Sequence, residues 1–433
     1  MSGAESRNSW SVFAYSLPAF AFSFPLIPFA VFLPVYYAED LMMGYFPVGV
    51  ALFLARIVDV LSDPIAGYLS DFKPLGGSHR KSWIAIGAVI AAVALVMITR
   101  AEIGVSPFYL GAWSAVLYIG WTMVTVPYLS FGAELANSYE EKTTYTTARE
   151  AVSLIGMLAA LSVPFFLGAD KPVIPAIPTF LLPAGLVALI IFFIGTRECS
   201  AKTGVFRASH FKEVIRDTKF GKLGIIWFVT SAASTVPAVL FPIYVVQSLS
   251  GSETEKNLSI LIYFVAAVAG MPFWLWYAKG RMKHKVMAGS TVIVCLFFPV
   301  AAFLGPGQVS LFYGVCIITG FALAAELSLA PSILADVADH DRCTSGENRM
   351  AIHFSLWGMA SKVALAVATL LALSLVALVE KTVPVAGQRF WIALLYAGVP
   401  VVLKLPVILL LKRFPFDQGD RDLIRNIQRK QAM

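Results

Sequence analysis

Arg56, Asp59 and Asp63 stand three and four residues apart inside an apolar stretch that begins near Met43. On a helix that spacing puts all three on one side. Counting back from the polar boundary near Asp71 at about 1.5 Å per residue sets Asp63 roughly 12 Å and Asp59 roughly 18 Å into a hydrocarbon layer about 30 Å thick. A charge at that depth costs at least about 2.5 to 3.5 kcal/mol, so such residues face a cavity or a partner and mark an ion or solute path. Pro64 adds to this, because its missing N–H leaves the carbonyl of Val60 without a helical donor. Two carboxylates, the Ser62 hydroxyl and that carbonyl are hard oxygen donors for a small cation, and either carboxylate can instead take up a proton. The competing reading is that Arg56 only neutralises Asp59 and ties helices together; the second acid one turn on, just before a proline, favours a cation site.

The elements that must hold these groups are membrane helices. Of the 433 residues 58% are hydrophobic and 14% charged, which excludes an ordinary soluble domain. The net charge of +7 is spread over short loops between apolar segments, which is topology control and not a nucleic-acid surface. Cys199, Cys295, Cys316 and Cys343 are too scattered for a zinc site or a disulfide framework. Met1 to Trp10 is read as carrying no removable signal peptide.

Apolar windows fall at about 11–37, 43–71, 83–101, 106–135, 149–169 and 175–195, then at about 222–249, 257–279, 287–304, 309–337, 350–380 and 388–412. The expected organisation is a six-helix bundle over 1–195, a basic central loop over 196–222, a second bundle over 223–413 and a tail over 414–433. With the amino terminus cytoplasmic, 25 of the 33 lysines and arginines fall on the cytoplasmic side, five outside and three within the membrane, so both termini are expected in the cytoplasm.

The halves resemble each other. Glu134 ends the fourth segment and Asp336 the tenth, each followed by a polar loop and then by Arg149 with Gly156-Met157 or Arg349 with Gly358-Met359. One offset of 202 residues relates both Glu134 to Asp336 and Gly156 to Gly358. The fold class expected is therefore an all-α membrane protein of twelve transmembrane helices in two parallel six-helix pseudo-repeats.

This architecture resembles the major facilitator superfamily. Within it, the stretch from Arg56 through Asp59 and Ser62-Asp63-Pro64 to Gly67 resembles the second-helix motif R-x-x-D-x-x-[NS]-D-P-x-x-G of the glycoside-pentoside-hexuronide:cation symporters, the group that contains melibiose permease. Asp336, Asp339, Arg349 and Ser361-Lys362 are similar to that family's tenth and eleventh helices. The resemblance implies that Asp59 and Asp63 bind the coupling Na⁺ or H⁺ and that Lys362 lies near cation and solute. It also exposes departures. The first helix has no acid near Phe22-Ser23-Phe24, the fourth offers Thr125 where an aspartate would grip a sugar, and Ser62 stands where a sodium site has asparagine, which tilts the coupling ion toward H⁺.

Other polar positions join the candidate list. Lys362 is about 18 Å into its helix from Met350, too deep to reach an interface, and Asp59 or Asp63 is the anion expected to hold it until a cation arrives. Glu326 is about 15 Å in from Asp336, read either as a protonated donor to solute or as a neutral acid bonded to a neighbouring helix. Lys404 is expected to snorkel. Glu134 is expected to pair with Arg149, and Asp336 with Arg349, as gating salt bridges. His353 is expected to be simply hydrogen-bonded, and Trp357 to stack on a sugar face.

No phosphate-cradling glycine loop, HExxH pattern or nucleophile elbow stands in the chain, so it is read as a non-enzyme with no cofactor beyond its coupling ion. The expected activity is cation-coupled symport of a small organic solute, by fold analogy a sugar or glycoside, through rocking of two bundles around a midplane site in an inner membrane. The expected partners are solute and bilayer, with no nucleic acid, and the expected state is a monomer. Two alternatives stay open: a cation-coupled carrier of lysolipids or other amphiphiles, and a non-transporting receptor or assembly factor that keeps the fold.

Overall fold

The computed structural model describes residues 2–69, 80–135, 139–168, 172–196, 208–347, 349–420 and 422; for Pro64, Glu134 and some other helical residues only the backbone is described. The boundary at Asp71, part of the expected central loop (197–207) and the end of the tail (421 and 423–433) lie outside the described residues. Among the described residues there is no strand, and twelve helices are long and apolar enough to cross a membrane.

The chain divides into two compact units, Met1–Gly204 and Val205–Met433. The first holds α1 (Ser9–Asp40), α2 (Tyr45–Leu69), α3 (Arg80–Thr99), α4 (Pro107–Leu135), α5 (Tyr139–Leu167) and α6 (Val173–Gly195). The second holds α7 (Thr218–Ser248), α8 (Glu253–Tyr277), α9 (Lys283–Phe303), α10 (Val309–Ser345), α11 (Met350–Thr382) and α12 (Val385–Lys412). It also contains a short helix, Ala208–Arg216, ahead of α7. The stretch expected as loop up to residue 222 is therefore partly helical. Asp217 is the physical reason for the early start of α7, since its carboxylate accepts the backbone N–H groups of Lys219 and Phe220 at 3.0 and 3.4 Å.

In α2 the side chains sort into two stripes at helical spacing. Val48, Ala51, Leu52, Ala55 and Asp59 are buried, whereas Leu54, Val58, Leu61 and Ile65 are exposed. The exposed stripe is wholly apolar, as a lipid-facing surface must be, so Asp59 is carried inward by the same register that buries Ala55.

The two units repeat certain devices. α1 ends in a π-helical turn, Tyr36–Asp40, and α7 in another, Tyr244–Ser248. Each turn is followed by a non-glycine residue in left-handed conformation, Met42 (φ 56°) and Ser250 (φ 54°). In each unit a tyrosine at that end donates its hydroxyl to a carbonyl of the third helix, Tyr37 to Ile98 (2.7 Å) and Tyr244 to Ala301 (2.6 Å). Other positions are not repeated. An added Cβ at Gly156 of α5 would meet the Phe20 carbonyl and Ser23 Oγ of α1 at 2.5 Å, whereas one at Gly358 would meet nothing within 4 Å.

Candidate functional site

The first unit brings α2 and α4 together around the acids. Asp59 is 3% exposed. Its Oδ2 accepts Nη1 of Arg56 at 2.8 Å, and its Oδ1 lies 3.4 Å from the Thr122 hydroxyl. That hydroxyl is also 3.0 Å from Asp63 Oδ1, so Thr122 is shared between the two carboxylates. Ser62 donates to the backbone carbonyl of Asp59 at 2.9 Å and lies 3.5 Å from Thr122 Oγ1. The guanidinium of Arg56 sits over the Tyr118 ring, 4.0 Å from its centroid. The result is two carboxylate oxygens and two hydroxyls of α2 and α4 in one cluster, with a fixed cation at its edge. That is a hard-oxygen donor set.

Tyr118 and Thr122 were not among the residues singled out from sequence. The available signal was their spacing of four on an apolar helix, one face shared by an aromatic and a hydroxyl. Thr125, the α4 residue that was singled out, instead donates to the carbonyl of Trp121 one turn back at 3.0 Å, so its hydroxyl is spent inside its own helix.

The expected gates are wired differently. Arg149 pairs with adjacent Glu150 at 2.5 Å and reaches the Tyr15 hydroxyl, while the Glu134 side chain lies outside the described residues. Asp336 is held by Lys283 of α9 at 2.7 Å and not by Arg349. Arg349 pairs with Glu213 of the short helix at 2.5 Å and with Asp341 at 3.6 Å. The reason is proximity along the bundle end: the short helix, anchored by buried Val214, presents an acid that sequence spacing alone does not bring near Arg349. His353 is buried and hydrogen-bonds through Nδ1 to the Arg349 carbonyl at 3.0 Å, as expected.

Deeper in the second unit, Lys404 does not snorkel. It is 4% exposed and ion-paired with Glu326 of α10, whose other oxygen accepts the Ser234 hydroxyl of α7 at 3.3 Å. Glu326 is thus bonded to neighbouring helices, the second of its two expected readings, with Lys404 as its partner. Trp357, expected as a platform for sugar, is stacked on Trp227 with ring centroids 4.4 Å apart and is 8% exposed. Trp227 Nε1 donates to Ser361 Oγ at 2.5 Å, which locks the stack beside half-buried Lys362 of α11.

Twelve candidate membrane helices in two six-helix units, with charges paired inside each unit, define a multi-pass helical membrane protein. The profile described as MFS/sugar transport protein matches residues 14–418, and the chain belongs to that family of the major facilitator superfamily. Over 460 aligned residues it is 23% identical to the sodium-dependent lysophosphatidylcholine symporter 1-B of Danio rerio, covering 93% of this chain and 86% of that protein. It is 22% identical over 414 residues to the uncharacterized symporter YjmB of Bacillus subtilis (strain 168), covering 87% of this chain and 86% of that one. Among solved structures, the nucleoside transporter NupG superposes with a TM-score of 0.69 at 14% identity, covering 93% of this chain and 99% of that chain. That likeness is one of fold.

Proposed function

We propose that the chain is a cation-coupled symporter of an amphiphilic solute, with the coupling ion held by Asp59, Asp63 and Thr122. The observation that carries this reading is the Thr122 hydroxyl lying within 3.4 Å of both intramembrane carboxylates. It supplies a neutral oxygen directly between the two carboxylates, with the Ser62 hydroxyl 3.5 Å away. A donor set of two carboxylates and a hydroxyl suits Na⁺, and this moves the preference from H⁺ to Na⁺. The sodium-dependent relative supports the same choice.

The solute reading rests on what is engaged elsewhere. Thr125 and Trp357, the groups expected to grip and stack on a sugar, are taken by Trp121 and Trp227. The Tyr118 ring beside Arg56, and the Phe22–Trp121 ring contact elsewhere in the same unit, suit an apolar chain better than a polyol. A lysophospholipid of the kind named for the relative is the first solute to test. In this reading the carrier works by alternating access in an inner membrane with both termini cytoplasmic, an orientation that the distribution of basic residues supports.

The test is uptake into proteoliposomes. Lysophosphatidylcholine is expected to accumulate under an inward Na⁺ gradient and a galactoside is not, and Asp59→Asn with Asp63→Asn is expected to abolish the gradient dependence. Accumulation of the galactoside alone would reject the amphiphile, and undiminished gradient-driven uptake by the double variant would reject the cation site.

A further inference from the structure

Arg56 stands near the midpoint of α2, about 16 Å from Tyr45 along the helix axis. Its bond to Asp59 is the only hydrogen bond it makes among the described residues. A guanidinium carries five N–H groups, so four of them have no acceptor among the described residues. The side chain is nevertheless 21% exposed, while the side chain of Asp59 beside it is 4% exposed. The Tyr118 ring covers one face of the guanidinium and fixes its plane, which leaves its edge as the open side. Unsatisfied donors at that depth are costly, and a planar fork of free N–H groups is matched by the oxygens of a phosphate or carboxylate.

The charges say when such a group can bind. With both acids ionised, Arg56, Asp59 and Asp63 sum to one negative charge, which opposes an anion. A monovalent cation on Asp59 and Asp63 brings the sum to zero. It also draws on the same Asp59 carboxylate that holds Arg56, on the oxygen facing Thr122. We propose that Arg56 is the docking point for an oxyanion carried by the solute, open to it only once the cation is in place. This rests on the cation site proposed above and names the head-group chemistry of its solute. Coupling then needs no contact between ion and solute, because each improves the other's affinity through Asp59 and Arg56.

The experiment measures binding to the full chain in lipid nanodiscs. The probes are dodecyl phosphate, laurate and neutral monolaurin, each with Na⁺ or choline as the sole cation, and each repeated in acidic against alkaline buffer. Wild type is expected to bind the anionic probes roughly ten-fold more tightly with its coupling ion than without, and monolaurin equally in both. The preferred anion, dodecyl phosphate or laurate, identifies a phosphate or a carboxylate head. Arg56→Gln is expected to lose the cation effect and the preference for anions while keeping Na⁺-induced thermal stabilisation, and Arg56→Lys to keep part of both.

A wild type that binds anionic and neutral probes with the same cation response overturns the proposal without any variant. So does an Arg56→Gln protein that binds anions as wild type does, or one that loses all three probes together. Uptake by proteoliposomes separates this from the transport reading: cation-dependent anion binding without flux would remove that reading and leave this one, and flux indifferent to Arg56 would do the reverse.

Discussion

Lys404 and Glu326 form an ion pair inside the second unit, each with a side chain 5% exposed, on helices α12 and α10. Removing one partner strands the other charge. Lys404→Met is therefore expected to destabilise the protein by about 3 to 5 kcal/mol, and Glu326→Gln combined with Lys404→Met to recover most of that loss. Thermal unfolding in detergent measures both. If the double variant is no more stable than the single, the pair is more than a neutralised burial.

Thr122→Val keeps the shape and deletes the hydroxyl shared by Asp59 and Asp63. The expected outcome is about ten-fold weaker cation binding, together with a loss of about 1 to 3 kcal/mol of ion-free stability because the carboxylates lose a shared donor. Thr122→Ser is expected to behave as wild type. Cation-dependent shifts in unfolding temperature report the affinity.

Gly156 and Gly358 correspond in the internal repeat but differ in surroundings. Gly156→Val drives a side chain into the Phe20 carbonyl and Ser23, at an expected cost of about 1 to 3 kcal/mol. Gly358→Ala meets no obstacle and is expected to stabilise α11 by up to about 1 kcal/mol through helix propensity. Equal effects at the two sites, read from unfolding temperature, would contradict the packing.

Beyond α12 the chain folds back, with Phe414 and Phe416 buried and Asp420 bonded to Lys219 at 2.6 Å and to His340 at 3.1 Å. Partial burial pushes the Asp420 carboxyl up, but the hydrogen bond from Lys219 and the neighbouring positive charge outweigh it and hold the carboxyl below its ordinary value of 3.8. The stabilisation is thus fully present above 3.8 and is lost as pH falls through the depressed value. Limited proteolysis with an acid-active protease should show the tail released only under strongly acidic conditions, and Asp420→Asn should release it at neutral pH.

The linear chain determined the membrane class and the twelve helices, because hydropathy windows and the 3.6-residue period are local properties that neighbouring residues state on their own. Arg56, Asp59 and Asp63 were legible for that reason: they share one helix, and their mutual geometry is set by its pitch. Which residue of another helix meets them was not legible. Thr122 and Thr125 are equally polar and three residues apart, and only the rotation of α4 against α2 decides that the first bridges the carboxylates while the second closes on Trp121. The same holds for Lys404, whose partner lies 78 residues away on α10, and for Arg349, claimed by Glu213 of a short helix. Charges buried in a low dielectric take the nearest opposite charge in space, and that neighbour is fixed by helix packing, which no spacing along the sequence encodes.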